Sequence, residues 1–309
     1  MNREHFPMNA AELMDNVVVI LKKSFWMQIA YAGIVYMLAF VGVFVVLMLF
    51  AAVFMVSVAT AGYPGSYAMI IVAGLAILPL FMIWQAFSSA GHILLSRQAF
   101  YGFKVSISHM GIFKVLFRVI SSVIAQIILF IPFVIVSIGA VIFMGMLFEN
   151  MGTVMGQLPV IIFILAIFSL LLFGFLIYSN IFALSIAVAA FERRYFFDTI
   201  TRSFQLIKSD FWRVLGVRSI WYIIVLGFSF SAQGVFSLLT VGWGFLAGSV
   251  PSGLLILVGV FISIFAGFVG PIIVSLVVAP LDGIMQSLIY FNQRMKTEGF
   301  DLELRIEKL

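Results

Sequence analysis

The chain has 309 residues, 64% of them hydrophobic and 9% charged, with a formal net charge of +5 and a mean hydropathy of +1.24. Soluble domains carry about 25% charged residues, so water-soluble, fibrous and disordered chains are excluded. The charges are also bunched: no Asp, Glu, Lys or Arg occurs in 24–96, 119–148, 150–191 or 219–281. A helix crosses hydrocarbon in about 20 apolar residues, so each gap holds one or two membrane spans.

The first apolar stretch begins near Phe25 and runs past Phe54, well beyond the core of about 7–15 residues in a cleavable signal peptide. It is expected to stay as a signal anchor, even though Ala59-Thr60-Ala61 mimics a cleavage site. The first span covers 26–60 and ends at the turn signal Ala61-Gly62-Tyr63-Pro64-Gly65-Ser66. The second covers 67–95 and the third 119–148. The fourth, 158–190, starts after Gly152, Gly156 and Pro159. The fifth covers 214–245. The sixth, 254–279, follows Ser249-Val250-Pro251-Ser252-Gly253, and a cytoplasmic tail, 282–309, completes the chain. Open strands cannot span lipid, and the alternation of a barrel strand is absent. The predicted fold class is all-α, a polytopic integral membrane protein with six transmembrane helices in a single membrane domain over 1–309.

Orientation follows from the basic residues. The loops 61–66, 149–157 and 247–253 contain no Lys or Arg. All 17 basic residues lie in the N-terminal segment, in 97–118, in 193–218, or in the tail from Arg294. The positive-inside rule then places both termini and both long loops in the cytoplasm, in a bacterial inner membrane. An odd number of spans would put one basic cluster outside. Lys22, Lys23, Arg97, Lys114, Arg118, Arg193, Arg194, Arg213 and Arg218 are expected to face anionic lipid headgroups or a protein partner. Near such a surface each contributes about 1 kcal/mol.

Short amphipathic strings precede the odd-numbered spans: Lys22-Lys23-Ser24-Phe25-Trp26, Gly111-Ile112-Phe113-Lys114-Val115-Leu116 and Lys208-Ser209-Asp210-Phe211-Trp212-Arg213-Val214-Leu215. They suggest a threefold repeat of an interfacial helix followed by a helical hairpin. The stretches 103–113 and 196–207 alternate apolar and polar residues at roughly helical spacing, which predicts helices lying along the inner surface.

Two of these regions carry a family resemblance. Arg202-Ser203-Phe204, leading to Lys208-Ser209-Asp210-Phe211-Trp212-Arg213-Val214-Leu215-Gly216, resembles a recurring segment in a broad group of bacterial and archaeal membrane proteins. That group is related to the membrane domain found ahead of some glycerophosphoryl diester phosphodiesterases. The tail Tyr290-Phe291-Asn292-Gln293-Arg294-Met295-Lys296-Thr297-Glu298-Gly299-Phe300-Asp301-Leu302-Glu303 is similar to the group's ending, with Tyr290, Arg294, Glu298, Gly299 and Asp301 at its motif positions. Many members have Asp where this chain has Asn292. The resemblance implies a membrane fold of largely unassigned function. Only 304–309 follow the motif, so no catalytic barrel is expected and phosphodiesterase activity is not implied.

Chemistry has little material here. There is no cysteine, and the histidines are His5, His92 and His109. No helical His pair or His-Glu spacing makes a metal site, and no P-loop occurs. No cofactor, metal, nucleic acid or catalysis is expected. His92 reads as an interface histidine facing the bundle. The buried polar residues are Gln85, Gln126, Asn180, Gln233 and Asp282, read as interhelical hydrogen-bonding groups typically worth about 0.6 kcal/mol. Asp282 after Pro280 reads equally well as a cap opening a terminal helix, 283–297. In the sixth span Gly259, Ser263, Gly267, Pro271, Ser275 and Ala279 recur every fourth residue, which predicts a small-residue groove and the tightest packing face of the molecule. The favoured function is non-catalytic, a basic cytoplasmic surface presented to anionic membrane lipids or a partner. A permease-like subunit for a lipid or other hydrophobic substrate comes second, and a lipid-modifying enzyme third.

Overall fold

In hydrocarbon the backbone must satisfy its own hydrogen bonds, and a continuous apolar chain does so as helix. The computed structural model describes residues 8–61, 65–149, 154–249, 258–259, 261–262 and 265–299, and among them every regular element is helical. The helices are α1 (Ala10–Ala61), α2 (Gly65–Tyr101), α3 (Ile112–Glu149), α4 (Val154–Ile181), α5 (Ser185–Phe191), α6 (Phe197–Ile207), α7 (Phe211–Ser249) and α8 (Gly270–Glu298). A 3-10 turn at Lys208–Asp210 joins α6 to α7, and a π turn at Phe265–Val269 leads into α8.

Five stretches of the described residues are long and apolar enough to cross a membrane: Ala10–Gly42, Ile112–Ala140, Leu165–Phe191, Phe197–Trp243 and Phe265–Glu298. The predicted second span, 67–95, falls in α2, where the side chains of 65–82 lie outside the described ones.

The long helices pair as antiparallel hairpins. In α1 and α2 the Tyr31 hydroxyl donates to the Phe87 carbonyl (2.8 Å) and Trp84 Nε1 to that of Val35 (3.4 Å). In α3 and α4 the Phe133 and Tyr178 rings stack 5.9 Å apart, and Phe143 meets Phe163 at 6.5 Å. In α7 and α8 the Gly270 backbone lies against the Phe236 ring, and Lys296 pairs with Asp210. Each hairpin thereby returns its Lys and Arg residues to the same end of the molecule. The described chain closes there too: the Met8 N–H donates to Asn292 Oδ1 (2.8 Å).

The core sits at this charged end. Val17 and Ile20 of α1, Ile93 and Leu95 of α2, Val188 of α5, Leu206 of α6 and Ile284, Leu288 and Tyr290 of α8 are all buried. Farther along the helices, Met37, Phe40, Ile135, Leu170, Phe230 and Leu238 face outward. Against lipid tails this exposure carries no hydrophobic cost.

Several expectations are corrected. α1 begins well before residue 26, because Asn9 and Glu12 cap it reciprocally: the Asn9 N–H donates to Glu12 Oε2 (2.8 Å) and the Glu12 N–H to Asn9 Oδ1 (2.9 Å). Its 52 residues extend about 78 Å, so among the described residues the string 22–26 lies inside α1 and forms no separate interfacial helix. The stretch 103–110 is a loop and not the expected helix. Gly102 and Gly111 take φ of 77° and 63° at its ends. Within it, Gln98 clamps Ser106, accepting from its N–H (2.7 Å) and donating to its carbonyl (3.2 Å). The stretch 197–207 does form a helix, α6. The three entrances therefore differ in local structure.

The predicted fourth span, 158–190, is broken between α4 and α5 at residues 182–184. The tail expected from 282 is, as far as residue 298, the continuation of α8. Asp282 is no cap but a mid-helix residue whose Oδ2 accepts from Gln286 Nε2 (2.7 Å). Residues 283–293 are buried because Gly283 lets α8 lie directly on α2. A Cβ at that position would overlap that of His92 and stand 3.3 Å from the His92 carbonyl carbon.

The predicted groove is also corrected. Gly267 is exposed, and a Cβ there would meet nothing within 4 Å. The π turn at Phe265–Val269 inserts about one residue into the helical repeat, so the every-fourth-residue series loses its common face. Pro271, Ser275 and Ala279 are half-buried, and Ser263 lies outside the described residues. Of the predicted groove, Gly259 does pack closely, against the Trp243 indole; the other close approaches among the described residues lie off it, at Gly91 against the Tyr31 ring, Gly270 against Phe236 and Gly283 against His92.

Candidate functional site

Three places on the charged end project an aromatic side chain beside basic ones, one within α1 and one each in the first turns of α3 and α7. Trp26 is 77% exposed, Phe113 83% and Trp212 69%. Residues three and four apart share a helix face, which places Lys22 and Lys23 on the side of α1 that carries Trp26. Lys114 follows Phe113 in the first turn of α3, and Arg213 follows Trp212 in α7; all four basic side chains are exposed. Arg193 is exposed as well. Arg97 is exposed, with its guanidinium over the Tyr101 ring (5.8 Å) and the Phe191 ring (5.6 Å).

Inside this rim, Glu192 collects donors from three helices and from its own loop. Its carboxylate accepts from Arg194 Nε (3.0 Å), Arg202 Nε (3.1 Å) and the Tyr290 hydroxyl (3.0 Å), and its carbonyl from Arg118 Nη1 (2.9 Å). Arg202 also pairs with Glu298, which accepts from Arg294 Nε at 2.9 Å. Arg118 and Arg194 are thus partly committed to holding the α5–α6 connection. The tail residues Tyr290, Arg294 and Glu298 join the same network. Gly299 ends α8 in the left-handed conformation (φ 63°), its N–H donating to the Met295 carbonyl. Asp301 lies outside the described residues. Asn292 holds the start of the described chain from both sides, because its Nδ2 donates to the Met8 carbonyl (3.4 Å) while its Oδ1 accepts from the Met8 N–H.

Arg218 departs from its expected place on the rim. It is 8% exposed and points into the bundle, donating to the Ser179 carbonyl (3.2 Å), Asn180 Oδ1 (3.3 Å) and the Tyr222 hydroxyl (2.8 Å). This places it at the break between α4 and α5, where carbonyls freed from the helix need donors. Ser203 of α6 serves the same break, donating to the Ile181 carbonyl (3.0 Å) and accepting from the Leu184 N–H (3.2 Å).

The polar residues expected inside the spans divide. Asn180 is buried, and Gln126 is half-buried with its Nε2 on Ser185 Oγ (2.6 Å). Gln233 and Asp282 are half-buried, whereas Gln85 is exposed and so is not a buried group. His92 is fully buried, with Nδ1 2.6 Å from Gln28 Oε1, while Gln28 Nε2 donates to Ser96 Oγ (3.2 Å). Among the described residues no three of His, Asp and Glu gather as a metal site.

Glu192, Gln28, Gln286 and Ser203 were not anticipated. Gln28 had the signal that marked Gln126, an amide inside a charge-free run. Glu192 had none, because its donors come from separate elements that only the fold brings together. No protein-family model, curated protein or solved structure matches the chain.

Proposed function

We propose that the chain is a six-span integral membrane protein without catalysis of its own, with both ends in the cytoplasm of a bacterial inner membrane. Its charged end seats on anionic lipid headgroups. The observation that carries this reading is the rim of exposed Trp26, Phe113 and Trp212 beside exposed Lys22, Lys23, Lys114 and Arg213. Amphipathic aromatics favour the headgroup level and basic side chains the anionic leaflet. The bond between Met8 and Asn292 supports an even number of crossings, since it ties the two ends of the described chain to one side. Membership of the broad group related to the phosphodiesterase membrane domain is part of the same proposal. Its motif residues Tyr290, Arg294 and Glu298 have an architectural role here, tying α8 to Glu192 and Arg202.

The test uses the full chain in nanodiscs of phosphatidylcholine, with and without phosphatidylglycerol. Amide exchange at 22–27, 112–118 and 211–214 should slow in the anionic discs. Added salt should weaken the effect, because exposed charges are screened. Changing Lys22, Lys23, Lys114 and Arg213 together to Gln should remove it. Equal protection in both lipids would refute the reading. A permease-like role for an amphiphile also has an observation in its favour, the cavity beside Arg218.

A further inference from the structure

Arg218 follows Trp212 by six residues, which carries its Cα about 9 Å along α7 from the aromatic rim. An ionised side chain at such a depth is costly and marks a functional site by default. None of the five ion pairs among the described residues includes it. Its acceptors are a carbonyl, an amide oxygen and a hydroxyl, all neutral. A guanidinium has five N–H donors, so these three bonds leave part of its donor set for another partner.

Arg218 also lines a cavity of about 350 Å³, together with the polar Tyr178 and Gln286 and the aromatic Phe130, Phe175 and Phe182. That volume lies in the range of small-molecule sites, about 300–1,000 Å³. Two polar atoms of the wall are buried with no hydrogen-bond partner among the described residues: the Tyr178 hydroxyl and Gln286 Oε1. Beside Arg218, Asn180 Nδ2 is a third. Buried polar groups are ordinarily paired; the Tyr178 hydroxyl and Asn180 Nδ2 are donors awaiting an acceptor, whereas Gln286 Oε1 is itself an acceptor. Phe175 is 43% exposed on a wall otherwise buried or half-buried, which opens the cavity toward the apolar surroundings of the helices. The broken α4–α5 segment forms part of the wall, and irregular backbone at membrane depth is tolerated where it is buried in protein or lines a cavity.

We propose that this cavity binds an amphiphile with an anionic head and an acyl chain, the head on Arg218 and the chain along Phe130, Phe175 and Phe182. Arg218 and the Tyr178 hydroxyl, both in the lining of the cavity, supply donors to the head. Asp282 of α8 lies close enough to Arg218 to interact with it electrostatically, but it forms no ion pair with it among the described residues, does not line the cavity, and its Oδ2 accepts from Gln286 Nε2. A phospholipid and a free fatty acid share this chemistry. The proposal rests on the membrane reading above but not on lipid binding by the basic residues of the rim.

The test is binding to the purified full chain in neutral detergent, read by native mass spectrometry and by thermal shift. The probes are dioleoyl phosphatidylglycerol, oleate, dioleoyl phosphatidylcholine and inorganic phosphate. Saturable binding of phosphatidylglycerol or oleate is expected, and the tighter of the two identifies the source of the head. Arg218→Gln should weaken it about tenfold, the loss of one charge-assisted bond. Phe175→Ala, at the exposed mouth, should weaken it several-fold and serves if Arg218→Gln does not fold. The rim variant lacking Lys22, Lys23, Lys114 and Arg213 should bind as the parent does. Equal binding of phosphatidylcholine, binding of phosphate as tight as that of the amphiphiles, or parent-like binding by Arg218→Gln or Phe175→Ala would overturn the proposal.

Discussion

Gly283 shows how much one residue decides. The position is ordinary in sequence, just after Pro280 and Asp282, yet it sets the distance between α8 and α2. An added methyl would overlap His92, whose backbone belongs to the facing helix and cannot swing away. Overpacking of this kind typically costs about 1–3 kcal/mol. Gly283→Ala should therefore lower the melting temperature in detergent clearly, while Gly267→Ala should leave it near that of the parent. A Gly267 variant as destabilised as the Gly283 variant would show that the open space beside Gly267 is filled in the membrane. Arg218 makes the same point for charge. Its neighbours Arg213 and Trp212 look like one continuous basic boundary in the sequence, and only the side chain's direction separates a rim residue from a buried one.

At the scale of the element, the break between α4 and α5 is the least expected feature. The run from 158 to 190 has no charge, and its Pro159 lies near the start, so hydropathy alone reads it as one helix. Ser203 makes the interruption sustainable, supplying a donor to Ile181 and an acceptor to Leu184 from a single buried hydroxyl. Leaving a buried donor or acceptor unsatisfied costs about 1–3 kcal/mol. Ser203→Ala is expected to destabilise the protein by that order and to speed amide exchange at Leu184. Unchanged exchange at Leu184 would mean that the break holds without the hydroxyl. α8 gives the converse case. Pro280 and Asp282 signal a boundary, but the helix continues because Pro280 removes one backbone bond while packing on α1, α2 and α7 retains the rest.

For the whole molecule, the antiparallel hairpins and the Met8–Asn292 bond put the basic residues of the described chain at one end. The proposed six crossings would satisfy this arrangement, whereas an odd number would not. Single cysteines at Ser66, Gly156 and Ser252 should accordingly react with a membrane-impermeant reagent applied to intact cells. Cysteines at Ser106, Ser209 and Thr297 should react only after permeabilisation. Labelling at Ser209 from outside would refute the six-span arrangement.

The helical class and the presence of helices long and apolar enough to cross a membrane were legible in the sequence alone. They depend on solvent transfer and backbone satisfaction, which act on each segment separately, and the runs at 24–96 and 219–281 state them without any partner. The pairing of Glu192 with Tyr290 and Arg202, the inward turn of Arg218, the burial of 283–293 and the contact at Gly283 were decided by the tertiary structure. Each joins residues far apart in the chain. In a chain this apolar, hydrophobic periodicity carries little information about which helix face turns inward, because lipid and core accept the same side chains.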